Sequence, residues 1–104
     1  MKKQFNFLSV VILVLVTLAS CSKNPKACCA IPGFGYVGKV ISFNGSCSTN
    51  SSKYKWDFGD GSTSKDASTT HAYATTGIFT VKFMAMNSDE SKMSEFVSTI
   101  DIKQ

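Results

Sequence analysis

Three acidic residues and the only histidine of the chain lie close together in sequence: Asp57, Asp60, Asp66 and His71. Two carboxylates could act as the acid and base of a glycosidase, but those groups must flank a sugar cleft. A histidine near a serine could activate a nucleophile, yet nothing in the pattern requires it. Calcium binding by the three acidic residues is a further alternative, but their spacing matches no dense loop of oxygen ligands. We predict no catalytic residue, no metal site and no cofactor.

The charge of the chain gives little reason to expect a nucleic-acid partner. The 104 residues include 11 lysines, no arginine and 7 acidic residues. Recognition of nucleic acid depends on clustered basic side chains, usually with arginine, whereas these lysines are dispersed. We predict no nucleic-acid partner, and a lysine-bearing surface that discourages the pairing of strand edges.

The first twenty residues have the pattern of a secretory signal. Lys2 and Lys3 precede an apolar run from Phe7 to Ala19. A membrane-spanning helix needs roughly 20 apolar residues, and this run is shorter and is interrupted by Ser9. A cleaved signal peptide is therefore the favoured interpretation.

The end of this segment, Leu18-Ala19-Ser20-Cys21, resembles the lipobox of bacterial lipoproteins. The resemblance implies cleavage before Cys21 and attachment of lipid, palmitate included, to that residue; an ordinary signal peptide is the alternative. Two or three acyl chains anchor a protein stably. Ser22, in place of aspartate, implies the bacterial outer membrane. The residues do not determine whether the protein faces the periplasm or the cell exterior. The predicted organisation is a signal peptide at 1–20, an anchor and tether at 21–26, and one domain at 27–104.

The remainder of the chain shows the alternating pattern of β-strands rather than the period of a helix. Tyr54, Trp56 and Phe58 share one face of a predicted strand. Phe79, Val81, Phe83 and Ala85 share a face of another. Phe96, Ser98, Ile100 and Ile102 share a face of the last.

A set of residues at fixed distances, mostly aromatic residues and glycines, resembles the PKD (polycystic kidney disease) domain. The set consists of Tyr54, Trp56, Asp57, Phe58, Gly59, Asp60, Gly61, His71, Tyr73, Gly77, Phe79 and Val81. The resemblance implies an all-β, immunoglobulin-like, two-sheet antiparallel sandwich with Trp56 at its centre. It also implies that Tyr73 buries its ring and ties its hydroxyl to nearby backbone, as in the tyrosine corner of related sandwiches.

Three cysteines would remain if Cys21 carries lipid, an odd number for an oxidising compartment. Cys28 and Cys29 are expected on the first strand and Cys47 after the second, and the PKD fold makes these strands neighbours. A Cys28–Cys47 disulfide is favoured, Cys29–Cys47 remains open, and three free thiols are the alternative.

One surface is a candidate for binding. If Phe79, Val81 and Phe83 face inward, Met84, Met86 and Val97 cluster on the outer face beside Lys53 and Lys55. Exposed apolar patches mark interaction sites, and methionine adapts to varied partners, although scattered apolar surface residues are also normal. We predict a non-enzymatic, membrane-anchored lipoprotein whose single PKD domain mediates protein–protein interaction or scaffolding at the cell envelope.

The alternative function is carbohydrate binding, which usually requires coplanar exposed aromatic rings. Phe34 and Tyr36, on the glycine-rich connection at 33–38, are the candidates for such a platform.

Overall fold

The computed structural model describes residues 23–104, and the regular elements in that part of the chain are all β-strands. The strands are β1 (Phe34–Tyr36), β2 (Ile41–Asn44), β3 (Lys53–Asp57), β4 (Thr63–Ser64), β5 (Ser68–His71), β6 (Gly77–Met86) and β7 (Met93–Lys103). The predictions for the signal peptide and for Cys21 lie outside the described residues. Within 23–104, no helix is long and apolar enough to cross a membrane.

The strands form two sheets that pack face to face. The larger sheet has the order β1-β7-β6-β3-β4, and the smaller one pairs β2 with β5. All neighbouring strands are antiparallel except β1, which runs parallel to the end of β7. The predicted two-sheet, immunoglobulin-like β-sandwich is therefore confirmed.

The core is aromatic and is centred on the indole of Trp56, which is fully buried. Its ring centroid lies 4.3 Å from that of Phe83 in the same sheet and 5.5 Å from that of Phe43 in the opposite sheet. Full burial of one such side chain contributes about 1.5–3 kcal/mol to stability. The other buried hydrophobic residues are Ile41, Phe58, Tyr73, Val81, Ala85, Ile100 and Ile102.

Two backbone features fix the turn that follows β3. Gly59 has φ +84°, and a Cβ atom there would collide with the carbonyl oxygen of Thr80, so only glycine fits without strain. The buried hydroxyl of Tyr73 donates a 2.8 Å hydrogen bond to the carbonyl oxygen of Phe58. This bond spans 15 residues of sequence and fastens the turn to the chain that leaves β5.

Three local predictions need correction. Cys28 and Cys29 lie outside any strand, because this segment meets β2 and the loop after it only through bridges at Lys26 and Ala30. The stretch predicted as a connection at 33–38 contains strand β1. Phe79, expected to face inward with Val81 and Phe83, is only partly buried, and its ring packs on Tyr73 at 4.5 Å.

Phe96 also differs from the expected pattern. It lies in register with the buried Phe83 but is 41% exposed, because it faces a cleft between β7 and the segment that contains Ile31 and Pro32.

A disulfide joins Cys28 to Cys47, with their Cα atoms 5.3 Å apart. Lys26 pairs in antiparallel fashion with Thr49, which brings Cys28 rather than Cys29 opposite Cys47. Cys29 keeps a free thiol that packs partly against the core. Desolvation by burial raises the pKa of that thiol to about 11.

Removing the disulfide should destabilise the domain markedly. The double variant Cys28→Ser, Cys47→Ser releases a link across 19 residues, for which the chain-entropy model gives about 3 kcal/mol. Denaturant unfolding of the double variant should show that loss, and Cys29→Ser, the matched control, should cost far less. Equal losses in the two proteins would contradict this role for the disulfide.

Candidate protein-interaction site

The outer face of the five-stranded sheet carries a groove built around three methionines, which we call the methionine groove. It has a volume of about 640 Å³. Its lining residues are Ser52, Lys53, Tyr54, Lys55, Lys65, Met84, Met86, Glu90 and Met93. Met84 and Met86 are partly buried, whereas Met93 is 61% exposed. The groove therefore offers flexible thioether side chains within a rim that is mostly basic.

Strand register brings the groove residues together. Met86 lies between Lys53 on β3 and Met93 on β7, so these three side chains form one row across the sheet. Met84 lies beside Lys55 in the next row on the same face. Because side chains alternate along a strand, the neighbours Phe83 and Ala85 point into the core and hold these methionines outward.

The hairpin turn between β6 and β7 closes one end of the groove. Glu90 adopts a left-handed backbone, with φ 62°, and its N–H donates to the carbonyl oxygen of Asn87 at 3.0 Å. This turn holds the Glu90 carboxylate 3.0 Å from the ammonium of Lys53. Both side chains are about half exposed, so the pair contributes little to stability, but it neutralises one lysine of the rim.

The predicted binding cluster is only partly assembled. Met84 and Met86 line the methionine groove, whereas Val97 lies opposite Lys82 and is not part of the lining. Met93 was not among the predicted binding residues, although the alternation of β7, followed backward from Val97, places it on the outer face. Lys65 and Glu90 come from other parts of the chain, and no local pattern indicates their approach.

The candidate carbohydrate platform lies on β1. Phe34 is 55% and Tyr36 48% exposed. Their rings are perpendicular, with centroids 5.9 Å apart, and the ammonium of Lys103 lies over the Phe34 ring at 5.3 Å. The two rings therefore do not form the coplanar pair that was expected of a sugar-binding surface.

The acidic residues and the histidine are engaged in the turn that follows β3. Asp57 accepts the N–H of Gly59, and Asp60 accepts the N–H of Ser62. The other carboxylate oxygen of Asp60 accepts the Nε2–H of His71 at 2.7 Å. Within residues 23–104, no group of three or more acidic, histidine or cysteine side chains is arranged to hold a metal ion.

His71 is also fixed by two aromatic neighbours. Its ring stacks on Phe58 at 4.3 Å and meets Tyr73 edge-on at 4.7 Å. The Asp60–His71 pair thus closes one end of the aromatic core. The contacts of both side chains stabilise the turn and the core.

These features define a class of protein: a disulfide-bonded, immunoglobulin-like sandwich with an aromatic core and a tyrosine corner. Residues 23–102 match the family model of the PKD domain. The chain therefore belongs to the PKD domain family, and the predicted resemblance is confirmed. The PKD domain is a non-catalytic module.

Known proteins of similar sequence or structure are parts of larger molecules or isolated domains. The chain is 36% identical over 77 residues to the collagenase ColA of Bacillus cereus, a match that covers 70% of this chain and 8% of that protein. A solved structure of carbohydrate-binding modules of the β-sandwich superfamily has 27% identity and a TM-score of 0.73, covering 80% of this chain and 36% of the other.

Two solved PKD domains share the fold at lower identity. The PKD1 domain of the Vibrio cholerae metalloprotease PrtV has 22% identity and a TM-score of 0.61, covering 79% of this chain and all of that one. The PKD1 domain of Vibrio anguillarum Epp has 20% identity and a TM-score of 0.64, covering 79% of this chain and 96% of that one.

The Asp60–His71 pair should make stability depend on acid pH. Burial alone would raise the pKa of Asp60, but the hydrogen bonds from His71 and Ser62 outweigh it and lower the pKa below its usual value. A lowered folded-state pKa contributes stability above the unfolded pKa of about 3.9, and the contribution is lost as pH falls through the folded value. Asp60→Asn should therefore flatten the fall in unfolding free energy below about pH 4. A fall of unchanged steepness in that variant would contradict this assignment.

Proposed function

We propose that this PKD domain is a protein-binding module of a lipid-anchored cell-envelope lipoprotein, and that it binds its partner in the methionine groove. The observation that carries the proposal is the row of partly buried and exposed methionines bordered by lysines on one open sheet face. Methionine side chains are flexible and polarizable and fill irregular contacts well. Such a groove suits a protein segment rather than a rigid small molecule.

The charges around the groove indicate the chemistry of that segment. Lys53 is paired with Glu90, while Lys55 and Lys65 make no ion pair within residues 23–104. A segment with an apolar side chain over Met84 and Met86 and a carboxylate near Lys55 or Lys65 would complement the groove. Charges at the rim of an interface mainly steer association and select among partners.

Carbohydrate binding is the second candidate function. The likeness to carbohydrate-binding modules supports it, at 27% identity and a TM-score of 0.73. The perpendicular rings of Phe34 and Tyr36 count against a flat sugar platform on β1. We therefore place protein binding first.

The anchoring part of the proposal rests on the sequence Leu18-Ala19-Ser20-Cys21. Lipid on Cys21 would attach the domain to the envelope through the short segment 22–26. With Ser22 after the cysteine, the proposed location is the bacterial outer membrane, facing either the periplasm or the cell exterior.

Substitution in the groove should weaken partner binding. Met84→Lys places a charge where an apolar contact is proposed, and loss of about 1.5–3 kcal/mol corresponds to roughly a tenfold or greater loss of binding. Thr80→Lys is the matched control, because Thr80 is exposed on the same face of β6. The measurement is the yield of partners cross-linked in intact cells for each variant against wild type.

The two candidate functions give different results in that experiment. Unchanged partner yield in Met84→Lys would contradict the groove proposal. A loss of retention on immobilised polysaccharide in Tyr36→Ala, with Met84→Lys unaffected, would instead support carbohydrate binding on β1.

Replacing Cys21 should release the protein from the membrane. Cys21→Ser removes the thiol that would form the thioether, so labelled palmitate should not be incorporated and the protein should leave the membrane fraction. Cys29→Ser is the control and should retain both properties. Palmitate labelling that persists in Cys21→Ser would contradict the lipid attachment.

A further inference from the structure

One long strand edge of the larger sheet is incompletely covered. β1 pairs only with Asp101, Ile102 and Lys103 at the end of β7. The preceding stretch of β7, Met93–Thr99, has no strand on that side within residues 23–104. We call this stretch the open edge.

The backbone groups of the open edge alternate in direction. The N–H of Asp101 donates to Gly33, and the carbonyl oxygen of Lys103 accepts from Val37, both across the β1 side. By the two-residue period of a strand, the N–H and C=O groups of the other odd-numbered residues face the same way. The backbone groups of Met93, Glu95, Val97 and Thr99 have no backbone partner on that side within residues 23–104.

The open edge lacks the features that protect two other strand edges, those of β4 and β5. β4 has two residues and is followed by Lys65, and β5 has four polar residues. The open edge contains neither lysine nor proline. Its apolar side chains are exposed, at 61% for Met93, 41% for Phe96 and 51% for Val97. A long, apolar, unpaired edge is a template for another strand.

We propose that a second copy of this chain pairs with it in antiparallel fashion along the open edge, forming a two-fold symmetric dimer. The occupied position at Asp101, where Gly33 bonds, limits how far the second strand can run. Pairing Met93 of one copy with Thr99 of the other fits this limit. That register places Glu95 opposite Val97 and makes the two Phe96 residues face each other across the axis.

This register is favourable for side chains as well as backbone. Four residues of each copy have backbone groups that point to the open edge, and the four pairs they form would exchange about eight backbone hydrogen bonds. Each Phe96 lies beside a cleft of about 550 Å³, partly lined by Ile31 and Pro32, which gives the facing rings room to pack. Glu95, the only charged residue of the open edge, lies directly opposite Val97, and the two Glu95 residues of the dimer are diagonal neighbours rather than a directly opposed pair. Closed two-fold dimers are also the commonest form of self-association.

Charge substitutions at Val97 test both the dimer and its register. Val97 is exposed on the outer face, so neither variant should disturb the core. Val97→Lys places a lysine opposite Glu95 twice per dimer, whereas Val97→Glu places two acids together. An opposed pair contributes roughly 0.2–1 kcal/mol, so the dissociation constant should fall about two- to thirtyfold in the lysine variant and rise comparably in the glutamate variant.

The measurement is sedimentation equilibrium of the full chain in a density-matched detergent, with protein concentrations up to the millimolar range. Wild type should show a monomer–dimer equilibrium. High salt should reduce the difference between the dissociation constants of the two variants, because it screens the charges. A monomer at every concentration would overturn the proposal. A change of the dissociation constant in the same direction in both variants would also overturn it. The readout is mass alone, so it is independent of whether the methionine groove binds a partner.

Discussion

The enclosure of the Trp56 indole between the two sheets is the constraint on which the rest of the structure depends. The ring is fully buried, and its Nε1–H donates a 3.0 Å hydrogen bond to the carbonyl oxygen of Asp66. This bond satisfies the one polar atom of a large apolar side chain, and a buried donor without a partner would cost about 1–3 kcal/mol. It also ties the loop after β4 to the centre of the core. Trp56 therefore fixes β3, its neighbour β6 and the connection between the sheets at once.

The same strands that enclose Trp56 present the candidate binding surface. Lys55 precedes Trp56 along β3, and Met84 lies between the buried residues Phe83 and Ala85 on β6. A shift of register by one residue would exchange inner and outer side chains, so the core determines which residues reach the groove. A binding surface on a packed sheet is held more precisely than one on a loop, which suits a small domain that has few other rigid elements.

Much of the fold could be predicted because its signals are local. Trp56, Gly59 and Tyr73 act through a strand, a left-handed turn and a corner, each of which has a short sequence signature. The missed features depend on residues that are distant in sequence. The strand at Phe34–Tyr36 exists because it pairs with the far end of β7, and Lys65 and Glu90 reach the groove only after folding. The exposure of Phe96 depends on the cleft between β7 and the segment around Ile31 and Pro32, which alternation along β7 cannot reveal.

Hydrogen exchange of the Trp56 indole N–H tests the central claim most directly. If both sheets must separate before water reaches this group, its exchange should require global unfolding. The free energy of opening should then equal the unfolding free energy of the domain, and denaturant should lower both with the same slope. Exchange through a smaller opening, with a free energy well below that of unfolding and insensitive to denaturant, would contradict the account.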